Sequence, residues 1–155
     1  MKPNLLMILP ILKNRLAEMP EIAHVQGVQE LAQLTGEREI QPLDGTVYVV
    51  FDGSQPLTSS NSRLKQKKKR LSFSVILAKQ FYGAEDVPHE DEAVGELLYA
   101  ICAKLQGWQP VNDKKLPITT QPFDEVQALE PIYFDNFALY PLRFETEILS
   151  NYSGD

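Results

Sequence analysis

The chain reads as an α+β domain: a mostly antiparallel, mixed β-sheet with helices packed on one face. Three features point there. Two segments repeat apolar residues at steps of three and four, as amphipathic helices do: Leu5, Ile8, Leu9, Leu12 and Leu16, then Val94, Leu97, Leu98, Ile101, Cys102 and Leu105. Residues 46–51 (TVYVVF), 71–79 and 142–148 are β-branched, aromatic or alternating in polarity, as strands are. The order helix, short helix, strand, strand, helix, strands does not alternate in the manner of a parallel α/β fold.

The elements follow in order. The first helix has Lys13, Asn14, Arg15 and Glu18 mostly opposite its apolar stripe. Pro10 removes one backbone bond, so this helix either begins near Leu9 or kinks there, and Pro20 ends it. Residues 22–26 form a short extended segment, and Gly27 leads into one or two helical turns through Val28, Leu31, Ala32 and Leu34, closed by Gly36. Residues 46–51 are apolar on both faces between Asp44-Gly45 and Asp52-Gly53, which predicts a buried central strand. Residues 52–70 (DGSQPLTSSNSRLKQKKKR) turn polar and then basic, and they read as a long, flexible loop joining two hairpin strands. The next strand places Leu71, Phe73, Val75 and Leu77 on one face and Ser72 and Ser74 on the other. After the second helix stops at Gly107, four prolines from Pro110 to Pro131 leave room for short strands near 118–120 and 123–128. The final strand alternates Leu142, Phe144, Thr146 and Ile148 with Arg143, Glu145 and Glu147 after an apolar stretch at 134–140, and Pro141 assigns it to a sheet edge or a bulge.

Length and composition bound the function. A chain of 155 residues, 43% hydrophobic and 23% charged, is expected to fold as a single domain over 1–155. Its net charge of −6 argues against a protein that coats nucleic acid with its whole surface, while a local basic patch stays open. One cysteine excludes an internal disulfide and a multi-cysteine metal site. No segment reaches the roughly 18 uninterrupted apolar residues of a membrane span, so no membrane partner is expected. Residues 5–12 (LLMILPIL), behind Lys2, imitate a signal peptide but run into Lys13, Asn14 and Arg15 without a small-residue cleavage site, and read as helix.

Chemistry-bearing residues are sparse. His24 has no nucleophile or triad pattern around it, and Cys102 lies on an apolar helical stripe, where burial makes a thiol inert. Residues 85–92 (EDVPHEDE) offer possible metal ligands without the spacing of a known loop, and carboxylates are at home in a first helical turn. The glycines match neither a phosphate loop nor a dinucleotide fingerprint. No enzyme activity, catalytic residue, cofactor or metal is therefore expected. The most unusual local feature is the basic run Arg63, Lys65, Lys67, Lys68, Lys69 and Arg70, six of the chain's 15 positive side chains. It reads either as a solvated loop or as a surface that docks a partner or tracks phosphates. Tyr133, Phe134, Phe137, Tyr140 and Phe144 serve the core or a subunit interface.

Several phrases resemble one family: ILPILKNRLAEMP, HVQGVQELAQL, TVYVVF, LSFSVILAKQF, AVGELLYAICAKLQGWQP and FALYPLRFETEI. Together they are similar to the tail terminator proteins of long-tailed bacteriophages, in the form carried by Mu-like phages and prophages. That resemblance implies a subunit that assembles with itself into a ring, expected to be a hexamer, on the tail tube protein. There it would stop polymerisation and present a surface to the head-tail connector protein, in the host cytoplasm during assembly and afterwards in the virion tail. The basic run matches no motif of that family; the hypothesis for it is that in such a ring the loop at 59–70 faces either the tail tube or the DNA channel, with a transient DNA contact. Two other readings stay open: another tail-completion or head-tail joining subunit, and a nucleic-acid-binding module that uses the basic run.

Overall fold

A computed structural model describes residues 4–29, 33–34, 41–57, 65–81, 90–134 and 136–152. Along the chain these form α1 (Ile8–Ala17), β1 (His24–Gly27), β2 (Thr46–Pro56), β3 (Gln66–Gln80), α2 (Glu92–Leu105), β4 (Gln121–Val126), β5 (Ile132–Phe134) and β6 (Phe137–Asn151). The strands make one mixed sheet in the order β1-β2-β3-β6-β4, with β5 also on β6. Only β1 and β2 run parallel. The α+β reading is thus what the structure shows.

Alternation along the strands divides the sheet into two faces. Val47, Val49, Leu71, Phe73, Val75, Leu77, Phe144 and Ile148 form the larger core, closed by Ile8, Leu12 and Leu16 of α1 and Val94, Ile101 and Leu105 of α2. The reverse face has a smaller cluster, Tyr48, Val50, Ile76, Ala78 and Leu139, covered by Leu34. Residues 30–32 and 35–36, where a short helix is expected, lie outside the described residues.

Local chemistry explains the ends of the helices. α1 starts at Ile8, so Pro10 is its third residue and sits in the first turn, where an N–H has no intrahelical acceptor to lose. The helix therefore begins one residue ahead of the expected start. Asp91 caps α2 by accepting from the N–H groups of Ala93 and Val94 at 2.9 and 3.2 Å. Asp91→Ala should lower stability by about 1 kcal/mol, read as a shift in the urea midpoint at unchanged slope.

The phrase after α2 works as a clamp. Gly107, with φ at 76°, adopts a left-handed conformation that an L side chain resists, and it turns the chain back along β4. Its N–H donates to the Phe123 carbonyl at 2.8 Å, and the Phe123 N–H donates to the Trp108 carbonyl at 2.7 Å. Gln106 Oε1 accepts from the Glu125 N–H at 2.7 Å, and Gln109 Nε2 donates to the Thr119 carbonyl at 2.6 Å. The outer edge of β4 is thereby covered. Arg15 joins the two helices: its Nε and Nη2 donate to the Lys104 carbonyl at 3.1 and 2.9 Å, and its guanidinium lies 5.0 Å from the Trp108 ring centre.

Three expectations need correction. The first is the loop at 52–70. β2 continues to Pro56 and β3 begins at Gln66, so residues 52–56 and 66–70 are strand, while 58–64 lie outside the described residues. The basic segment pairs with β6 from Gln66↔Asn151 to Arg70↔Glu147, and this long-range ladder overrides a composition that reads as loop. Second, Pro141 is not on an edge strand, since β6 lies between β3 and β4. It sits instead where β6 has no neighbour on one side: β5 reaches Leu139 and β4 starts opposite Arg143. A residue without an N–H is tolerated in that gap. Third, the apolar stretch at 134–140 is not continuous strand. Asn136, at φ 68°, turns β5 back so that Phe134 pairs with Phe137.

Candidate docking surface

The basic residues gather at one end of the sheet, where β3 begins and β6 finishes. Arg63 lies outside the described residues. Lys65 directly precedes β3, and its carbonyl accepts the Tyr152 N–H at 2.8 Å. Lys67, Lys68 and Lys69 stand opposite Ser150, Leu149 and Ile148, so strand alternation sends Lys67 and Lys69 to the helical side and Lys68 to the reverse.

Their electrostatic states differ. Arg70 is held by two carboxylates, Glu145 at 3.5 Å and Glu147 at 4.0 Å, which makes it a cross-strand pair more than a free cation. Lys69 lies 5.4 Å from the centre of the Tyr152 ring. A hydrogen bond from Lys69, and then one with Ser150, lowers the Tyr152 phenol below its ordinary pKa by favouring the phenolate. Lys65, Lys67 and Lys68 have no carboxylate partner among the described residues.

Beside these lysines is an apolar hollow of about 310 Å³, lined by Leu5, Met7, Ile148, Leu149 and Tyr152 with Asn4, Ser150 and Asn151 at its rim. Leu149 and Tyr152 are each 51% exposed. Side chains of this kind, surrounded by charge and left in water, are what a partner's surface covers. The hollow escaped the sequence reading, although a trace of it was there. Leu149 shares the strand phase of Arg143, Glu145 and Glu147, where a solvated strand carries polar residues. Tyr99, off the apolar stripe of α2 and 78% exposed, is a second such residue.

The other candidates fall elsewhere. His24 is exposed on β1, opposite Thr46 of β2. Cys102 is half-buried against the main core, and its thiol donates to Glu125 Oε2 at 3.5 Å. Burial first, and then the Glu125 charge, push this thiol up to about 11. At pH 8 it is neutral, so iodoacetamide should label the native protein slowly and faster as pH climbs toward that value, with mass spectrometry as the readout. Of residues 85–92, those up to His89 lie outside the described residues, whereas Asp91 caps α2 and Glu92 occupies its first turn. Among the described residues no group of three or more His, Cys, Asp or Glu side chains could hold a metal ion, and no helix is long and apolar enough to cross a membrane. Phe137, Tyr140 and Phe144 are buried in the core, while Tyr133 is exposed.

No curated protein matches the chain. A family model described as Phage tail terminator protein matches residues 1–152.

Proposed function

We propose that this chain, which belongs to the phage tail terminator family, closes the growing tail tube by forming a ring on its end. Membership in that family of structural assembly proteins gives it a tail-completion role and a place in the virion tail, beside tail and head components. The finer reading is that copies associate head to tail into a closed six-fold ring that caps the tube protein in the host cytoplasm and offers its other side to the head-tail connector. The family match over residues 1–152 is the observation that carries it. The phrases quoted for the Mu-like form extend the same reading to that subtype.

The physical case is one of closure. An interface between two different patches generates a filament unless its rotation closes, and a closed ring consumes its own adhesive surfaces and stops. A terminator must not polymerise in its turn, so closure is the property its function requires. The basic end of the sheet, with Lys65, Lys67, Lys68 and Lys69 around an apolar hollow, is the docking element in this reading; Arg70, already paired, braces the strand. Arg63 belongs to the same basic run in sequence. The chain acts as one domain and needs no cofactor for such a role.

A DNA-facing role for the same lysines is the second reading. Their cluster favours it; the carboxylates of Glu145 and Glu147 beside Arg70 oppose it, since a phosphate track needs an unbroken line of cations. Negative-stain images and sedimentation of the purified protein test the ring directly: closed rings are expected, and open filaments or monomers at every concentration would contradict it.

A further inference from the structure

Two surfaces of the molecule have no partner among the described residues and are complementary to each other. One is the hollow at the end of β6 with its unpaired lysines. The other is the outward stripe of α2, on which Glu92, Gly95, Glu96 and Tyr99 lie together along a shallow groove. Tyr99, 78% exposed, is the most exposed of the large hydrophobic side chains among the described residues.

Gly95 adds an independent observation. It sits inside a helix, where glycine is less favourable than alanine. Among the described residues nothing lies within 4 Å of where its Cβ would be, so none of them demands a glycine there. The missing side chain leaves a flat shelf between two carboxylates and an aromatic ring, the form of a surface that another molecule approaches closely.

We infer that the α2 stripe of one copy seats on the basic end of the next, with Tyr99 in the hollow of Leu5, Leu149 and Tyr152 and with Glu92 and Glu96 against Lys65 and Lys67. This rests on the ring reading above and names its subunit interface. Charge selects the pairing. Two basic ends brought together would oppose like charges, as would two acidic stripes, so the isologous dimers are disfavoured and the head-to-tail contact remains. With a net charge of −6 and four lysines gathered at one end, the rest of the chain is strongly acidic, which reinforces that choice. An aromatic anchor in an apolar pocket, ringed by charge pairs, is also how binding energy concentrates in protein interfaces. Phosphate has no use for the apolar hollow, and this favours a protein occupant over DNA.

Charge exchange tests it. One variant carries Lys65→Glu and Lys67→Glu; a second carries Glu92→Lys and Glu96→Lys. Lys65, Glu92 and Glu96 are exposed and Lys67 is half-buried, and an unchanged thermal melt establishes that each variant folds. Each variant alone should associate at least about tenfold more weakly than wild type in sedimentation velocity, because both its contacts now oppose like charges. An equimolar mixture should recover assembly, since in an alternating ring half of the contacts keep the native charge pairing and the other half have it with reversed sign. Tyr99→Ala should weaken association without any change of charge. Wild-type-like assembly of either charge variant, or a mixture that stays dispersed, overturns the inference while the ring itself stands. Wild-type protein that never associates overturns the ring reading first. Normal assembly of the lysine variant together with lost retention of a DNA duplex at low salt would give the lysines to nucleic acid and overturn the inference as well.

Discussion

Phe123→Ala is expected to lower stability by about 4 kcal/mol, the largest effect of any single substitution considered for this chain. Phe123 is fully buried although its strand is short and mostly exposed. Its ring stacks 6.0 Å from Phe73 and lies 4.9 Å from Trp108 and 6.4 Å from Phe144, so β3, β6 and the turn after α2 all meet on it. Its own backbone holds the clamp at Gly107 and Trp108. Truncation therefore opens a cavity at the point where β4 is fastened to the sheet, and neighbouring rings held by three different elements have little freedom to collapse into it. Urea unfolding gives the number directly. Phe123→Leu should lose less than half as much, and a loss below about 1 kcal/mol for Phe123→Ala would show that β4 is not held by this cluster.

Leu149→Asp is expected to leave the fold nearly untouched and to abolish assembly. Leu149 is 51% exposed, so the subunit's stability should change by no more than about 0.5 kcal/mol. The same substitution acts twice on the docking surface. It places a carboxylate in an apolar hollow, and it sets that carboxylate directly opposite Lys68, whose charge is then answered within the subunit. A sedimentation series should show monomer at concentrations where wild type associates, with the urea midpoint retained. Leu149→Met, similar in volume and polarity, should behave as wild type.

Much of this architecture could be read from residue order. The two amphipathic stripes, the alternation of Leu71, Phe73, Val75 and Leu77, and the double-sided apolar run at 46–51 each reflect one physical period, and each element formed where that period predicts. The misreadings share a cause. Residues 67–70 look like loop because no local property makes four consecutive basic residues a strand; what does so is β6, arriving from about eighty residues later. Pro141 looked like an edge residue because its tolerance depends on a gap between two neighbours that only the assembled sheet reveals. The docking surface was half legible. Its lysines stood out as a charge run, whereas its hollow joins Leu5 near one end of the chain to Leu149 and Tyr152 near the other, a proximity no local pattern encodes.

The measurement that bears most directly on tail termination is the length of tubes grown from purified tail tube subunits with and without this protein, read by negative-stain microscopy. With it, tubes should stop at short, bounded lengths and carry the added density at one end, and the Leu149→Asp variant should restore unlimited growth. Tubes of the same length distribution in its presence and absence, with both ends bare, would contradict a role in closing the tube.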